Sequence, residues 1–217
     1  MSMTQSRKPQ GTPAGGQWAP TNHPKPRGEL TAGQPASTGG EPVEPEITVR
    51  RDGSRVAQFR DAAGLLQDPE DGRPAVVATG YSGSVLEVKH YQSGLLQDPA
   101  DGRPAVMLCH HNGTVTYEEH YQAGLLQDPA DGRPASIIRW ESGGVSVEEH
   151  YQADRVQDPA DGRPARVDFC EDGSVDTEAH YQAGRLQDPA DGRPAVVRYD
   201  ADGGVRFKRH YQNGVRA

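Results

Sequence analysis

The chain has 217 residues, of which 33% are hydrophobic, and it contains 26 Gly and 18 Pro. Leu, Ile, Val and Phe together number 34, about 16% of the chain, and acidic residues exceed basic ones by 31 to 23, a net charge of −8. This low aliphatic content argues against a conventional enzyme core. We expect neither a membrane span nor a secretory signal, because no apolar run is long enough for either. A disordered chain and a thin, repetitive fold remain as alternatives.

Residues 1–45 are expected to form a disordered tail. Eight Pro and seven Gly make up a third of this segment, and its net charge is +1. Such a composition offers too little apolar surface to offset the entropy of ordering. Its stretch GTPAGGQWAP, residues 11–20, resembles a short N-terminal motif of many actinobacterial and phage proteins.

From residue 67 onward the sequence repeats with a period of 30. The motif QDP(E/A)DGRPA begins at five positions, and HYQ recurs with the same spacing. Between each Pro-Ala and the next His lie 14 variable residues, of which the second is always apolar, the eighth Gly and the tenth Val. When the copies are aligned, each set of equivalent positions forms a column. Besides the motif QDP(E/A)DGRPA and the His and Gln of HYQ, three further columns hold the same residue in all five copies. They are Gly83, Gly113, Gly143, Gly173, Gly203, then Val85, Val115, Val145, Val175, Val205, then Tyr91, Tyr121, Tyr151, Tyr181, Tyr211.

The variable segments predict β-hairpins. Three of them place Asn-Gly or Asp-Gly at the centre, and these residues tolerate the positive φ of tight hairpin turns. The flanking residues are rich in β-branched and aromatic types, as expected for strands. The two prolines and the Asp-Gly of each QDPADGRPA motif exclude a helix and predict a rigid connector with a turn.

The repeat also extends before its first full copy. Counting back 30 residues from Gly83 and Gly94 gives Gly53 and Gly64, but residues 60–62, Arg-Asp-Ala, stand where HYQ is expected. A degenerate first unit is typical of a capping repeat. We therefore predict an all-β fold, an elongated antiparallel meander or solenoid of six hairpins over residues 46–217. Since the whole chain carries −8 and the tail +1, this array carries −9.

Three short segments resemble MORN-type repeats, and most closely the variant found in bacterial antitoxin-like repeat proteins. They are YQNG at 211–214, DGRP at 191–194 and DGGV at 202–205. The resemblance implies an antiparallel β-meander with a binding or scaffolding role. The period of 30, the Pro-rich connector and the single invariant aromatic column depart from the usual MORN pattern.

The repeated histidines invite interpretation as a metal site, but the expected spacing argues against it. Equivalent residues of successive hairpins would lie about 10 Å apart, whereas zinc holds each donor at about 2.0–2.1 Å. We expect half-exposed histidines beside a packing tyrosine. In the connectors, Asp98 and Asp101 could suggest calcium, but an Asx turn with an Asp–Arg surface pair is the preferred interpretation. No metal and no cofactor are predicted.

Catalysis is not expected either. The sequence contains no nucleophile elbow, phosphate-binding loop or paired-cysteine motif. Cys109 and Cys170 fall about two repeats apart, too far for a disulfide, which fits a reducing cytoplasm or a chain that is indifferent to its redox compartment. We therefore predict a cytoplasmic protein that is not an enzyme.

The third to sixth variable residues of each hairpin differ widely between units, which suggests a modular binding surface. Aromatic residues dominate interface energetics. The candidate partner-binding residues are Tyr117, Trp140, Phe169, Tyr199 and Phe207. Drift at loosely constrained positions would produce the same variation and remains the alternative.

The functional hypothesis is a non-enzymatic scaffold that binds a protein partner through one face of the ribbon, with an antitoxin-like role. The alternative is a precursor whose 14-residue inserts are released as peptides, which recovery of the intact 23.4 kDa protein from cells would disfavour. Nucleic acid and peripheral membrane contact are not expected for so acidic an array. Free sheet edges leave self-association open.

Overall fold

A computed structural model describes residues 43–217 and confirms the all-β prediction. Those residues contain 22 β-strands and no helix, so none of them belongs to a helix long and apolar enough to cross a membrane. The predicted disordered tail, residues 1–45, lies outside the described part of the chain except for residues 43–45.

Six large hairpins form one twelve-stranded antiparallel sheet, in which each strand pairs with the large-hairpin strands that precede and follow it. The sheet order is β1-β2-β3-β4-β7-β8-β11-β12-β15-β16-β19-β20. The strands are β1 Glu46–Val49, β2 Arg55–Gln58, β3 Val76–Thr79, β4 Val85–Lys89, β7 Val106–Cys109, β8 Val115–Glu119, β11 Ser136–Arg139, β12 Val145–Glu149, β15 Arg166–Phe169, β16 Val175–Ala179, β19 Val196–Tyr199 and β20 Val205–Arg209.

A second, smaller hairpin, which the sequence did not predict, follows each of the last five large ones. Its two strands are two residues long, and the invariant tyrosine begins the first. These strands are β5 Tyr91–Gln92, β6 Leu95–Leu96, β9 Tyr121–Gln122, β10 Leu125–Leu126, β13 Tyr151–Gln152, β14 Arg155–Val156, β17 Tyr181–Gln182, β18 Arg185–Leu186, β21 Tyr211–Gln212 and β22 Val215–Arg216. Backbone bonds join successive small hairpins, for example from the Gly124 amide to the Leu96 carbonyl at 2.9 Å.

The first large hairpin differs from the other five by one residue. Each of the five contains a β-bulge, as where Leu108 pairs with Tyr117 but the next residue, Cys109, pairs with Val115. The first hairpin has a continuous register without the bulge. As a result Phe59, not Arg60, takes the position of the repeated histidine, which corrects the alignment that the period of 30 predicted.

The most buried residues form a narrow line where the sheet meets the small hairpins. The alanine that ends each connector has 0% exposure. These residues are Ala75, Ala105, Ala135, Ala165 and Ala195. The invariant valines that begin β4, β8, β12 and β16 are only half-buried. The array is therefore a thin sheet whose fully buried residues are mostly small and lie along one line, which explains the low aliphatic content.

The turn glycines of the large hairpins have the positive φ that the sequence predicted, from 77° at Gly203 to 90° at Gly143. Gly143→Ala is expected to destabilise the protein by about 1–2 kcal/mol, because an L-residue is strained at positive φ. Its added Cβ would meet only Thr114 Cγ2 at 3.7 Å, so the cost lies in the backbone.

Gly144→Ala is the matched control, because Gly144 has no positive φ and its added Cβ would make an ordinary 3.8 Å contact with Trp140 Cδ1. We expect a change of about 0.5 kcal/mol or less. Urea unfolding followed by circular dichroism measures both variants. Equal losses would contradict the assignment of the cost to backbone strain.

Candidate functional site

The first aspartate of each connector joins that connector to the next hairpin. Asp98 Oδ1 accepts hydrogen bonds from the Ala105 amide at 2.8 Å and the Tyr121 amide at 2.9 Å, and Asp98 Oδ2 lies 2.6 Å from His120 Nδ1. The same contacts recur in all five connectors. The Asp–His pairs are Asp68–His90, Asp98–His120, Asp128–His150, Asp158–His180 and Asp188–His210.

The prediction of half-exposed histidines is wrong for four of the five units that contain the histidine. His90, His120, His150 and His180 are 1–4% exposed. Each histidine amide also donates to the alanine carbonyl of the following connector, as from His120 to Ala135 at 2.8 Å, so the following unit lies against it. The His210 side chain, in the last unit, is 50% exposed. The repeated histidines are thus structural members of the seam between units.

The other invariant connector residues also link neighbouring units. Gln97 Oε1 accepts from the Ala123 amide at 2.8 Å, and Arg133 donates to the Gly102 carbonyl at 2.9 Å. The expected Asp–Arg surface pair and Asx turn are present, since Asp101 accepts from both the backbone amide and Nε of Arg103. Repetition therefore marks residues that hold successive hairpins together.

These contacts lower the pKa of the second connector aspartate. At Asp191 the backbone amide and the guanidinium of Arg193 hold the pKa of the carboxyl below its usual value. Asp71 shows the same direction, caused mainly by the side-chain bond from Arg73 and opposed by desolvation. Within residues 43–217 no three His, Cys, Asp or Glu residues are grouped so that they could hold a metal ion.

The five candidate partner-binding residues do not share one site. The register places Tyr117 of β8 and Phe207 of β20 on the same face of the sheet, but five strands separate them. Tyr199 of β19 follows Arg198, the partner of Phe207, and so points to the other face. Only Trp140 and Phe169 line the same groove.

The hydroxyls of two of these tyrosines are already engaged. Tyr117 donates to Glu119, and Tyr199 donates to Glu178 Oε2 at 2.7 Å. Burial, with the nearby carboxylate, raises the pKa of Tyr117 above its usual value and the pKa of Tyr199 to about 12. Their polar ends are therefore satisfied within the sheet, and only their ring surfaces remain for a partner.

The groove at Trp140 lies between two hairpin turns and has a volume of about 360 Å³. Phe169, Cys170, Glu171 and Asp176 line it together with Trp140. Trp140 Nε1 is enclosed by protein atoms and donates to no described residue. A buried indole N–H without an acceptor is uncommon, because it loses its bond to water.

Charge in the groove is partly balanced. Asp168, a further lining residue, accepts from Arg166 at 2.7 Å, and Asp176 lies 3.3 Å from Arg198. Glu171 is exposed at the rim. The site thus combines two aromatic side chains with acidic groups, an arrangement suited to binding.

The chain matches no model of a known protein family, and no curated protein matches it. The residues themselves therefore carry the functional argument.

The Asp–His pair is the main feature that the sequence interpretation missed. Both residues are invariant and always 22 positions apart, as in Asp98 and His120. A surface pair or turn residue would not require a particular histidine in the next unit. The sequence signal that could have revealed the pair was that the aspartate and the histidine are both identical in every copy.

Proposed function

We propose that this chain is a non-enzymatic repeat scaffold that binds a protein partner through the groove formed by Trp140 and Phe169. The proposal is supported mainly by the different roles of the invariant and the variable side chains. Invariant Asp, His, Gln and Arg side chains bond to neighbouring units, whereas the variable side chains are left on the strands and turns.

The groove favours a partner that packs against the part of the Trp140 side chain that remains exposed. Binding would cover this part of the ring, and buried tryptophans are frequent energetic centres of interfaces. An antitoxin-like role, with a toxin protein as partner, is the specific form that the resemblance to antitoxin-like repeats supports. A cytoplasmic location belongs to the same proposal, supported by the free thiols of Cys109 and Cys170.

Trp140→Ala is expected to weaken partner binding by about 30-fold or more, the effect of removing an interface hot spot. The full chain, as wild type and variant, would be used to capture partners from extract of the producing cells. The captured protein would then be purified, and its Kd for each chain measured by calorimetry.

Tyr81→Ala is the matched control, because Tyr81 is an aromatic residue in another hairpin turn, 87% exposed and outside the groove. It should bind the partner as the wild type does. Circular dichroism would confirm that both variants are folded. Equal affinities of the wild type and Trp140→Ala would refute the groove as the binding site.

A further inference from the structure

The two outer strands of the large sheet, β1 and β20, present unpaired edges. No strand within residues 43–217 pairs with the outer side of either. Ile47 and Val49 of β1 are 59% and 62% exposed, and Val205 of β20 is 49% exposed. Such edges offer a row of backbone donors and acceptors to another chain.

The edges differ in charge. β1 begins with Glu46 and contains no basic residue, whereas β20 contains Arg206, Lys208 and Arg209. Two β20 strands placed side by side would bring basic residues together, which is destabilising. The charges therefore disfavour pairing of like edges and favour pairing of β20 with β1.

We propose that β20 of one copy pairs with β1 of a second copy, so that the sheet continues from molecule to molecule. The register of this pairing follows that between neighbouring units within one chain, where Lys89 of β4 pairs with Val106 of β7. β20 is the second strand of its hairpin, as β4 is, and β1 is the first strand of its hairpin, as β7 is. The same register sets Arg209 opposite Glu46 of the second copy, an attractive cross-strand pair.

The exposed last histidine supports this register. In the inner units the histidine amide donates to an alanine carbonyl, as from His180 to Ala195 at 2.7 Å. Pro45 precedes β1 just as Ala195 precedes β19, and a proline carbonyl accepts hydrogen bonds. In the assembly the His210 amide would donate to the Pro45 carbonyl of the second copy, and the half-exposed His210 ring would be covered.

This contact joins two different edges, so the assembly keeps a free β1 at one end and a free β20 at the other however many copies are added. Such a heterologous interface grows into open chains and does not stop at a dimer. The expected behaviour of the full 217-residue chain is a mean mass that rises with concentration. A Kd on the order of 100 µM is expected for a single strand pair with one charge pair.

Charge reversal tests the proposal. In sedimentation velocity, Glu46→Arg and Arg209→Glu should each raise the Kd about tenfold, because like charges then face each other. The double variant restores opposite charges and should return to within about threefold of the wild type. Glu70→Arg, an equal change of charge at an exposed connector position, should leave the Kd unchanged.

Folding of the variants is checked by circular dichroism, since Glu46→Arg also removes an exposed 3.7 Å pair with Arg60 that is expected to contribute little stability. Hydrogen exchange of the assembled wild type should show new protection at residues 46–49 and 205–209. A wild type that stays monomeric up to about 1 mM, a double variant no better than the single ones, or protection at 205–209 alone would overturn the proposal.

Discussion

Asp128→Ala is expected to lower the free energy of unfolding by about 3 kcal/mol, a large part of the stability of a typical domain. The alanine leaves two backbone amides, of Ala135 and Tyr151, without the acceptor that each now contacts at 2.9 Å. It also leaves the buried His150 without the oxygen that lies 2.7 Å from its Nδ1. Urea unfolding followed by circular dichroism measures the loss.

Asp131→Ala is the matched control from the same connector. Asp131 is 54% exposed and pairs with Arg133, so we expect a loss below about 1 kcal/mol. Asp128→Asn should fall between the two alanine variants, because its amide oxygen can still accept from the two backbone amides. If the two alanine variants lost equal stability, the Asp–His contact would contribute no more than a surface pair.

Deleting 30 residues is expected to be less harmful than deleting 15. Removal of residues 106–135 joins Ala105 to Ser136, so that Asp98 meets His150 in place of His120 and every kind of contact between units is restored. Stability in such arrays is a sum of unit and neighbour terms. We expect a folded protein whose melting temperature falls by roughly 5 °C.

Removal of residues 106–120 takes away β7, β8 and His120 but keeps the small hairpin that follows. Asp98 then has no histidine at the required distance, and the large sheet is interrupted between β4 and β11. We expect loss of the cooperative thermal transition in circular dichroism and rapid cleavage by protease near the junction. A melting curve like that of the 30-residue deletion would contradict the role of the repeat period.

Features that depend on neighbouring residues could be predicted from the sequence. The six large hairpins follow from the turn glycines and the residues around them, and the positive φ of Gly113 and Gly173 confirms the expected turns. The small hairpins were not predicted, because strands of two residues have no detectable alternation. Their turns also place Ala123 and Ala183 at φ of 50°, a conformation that the residue type does not suggest.

The first unit shows how counting alone misplaces a residue. A period of 30 put Arg60 at the histidine position, but the missing bulge in the first hairpin shifts Phe59 into it. Phe59 is 5% exposed and lies under the guanidinium of Arg73, 4.5 Å from the ring centroid. Thirty residues before Asp68 the sequence has Thr38, so no aspartate is available there for a histidine.

The sequence by itself determined the period, the hairpins and the all-β fold, because turn chemistry and strand preference act over a few residues. It also determined which columns repeat and which vary. Only the tertiary structure decided that Asp98 binds His120, that four of the five repeated histidines are buried and that Trp140 and Phe169 line one groove. Those contacts join segments 20 or more residues apart, and their distances depend on strand register and bulges that local preferences do not specify.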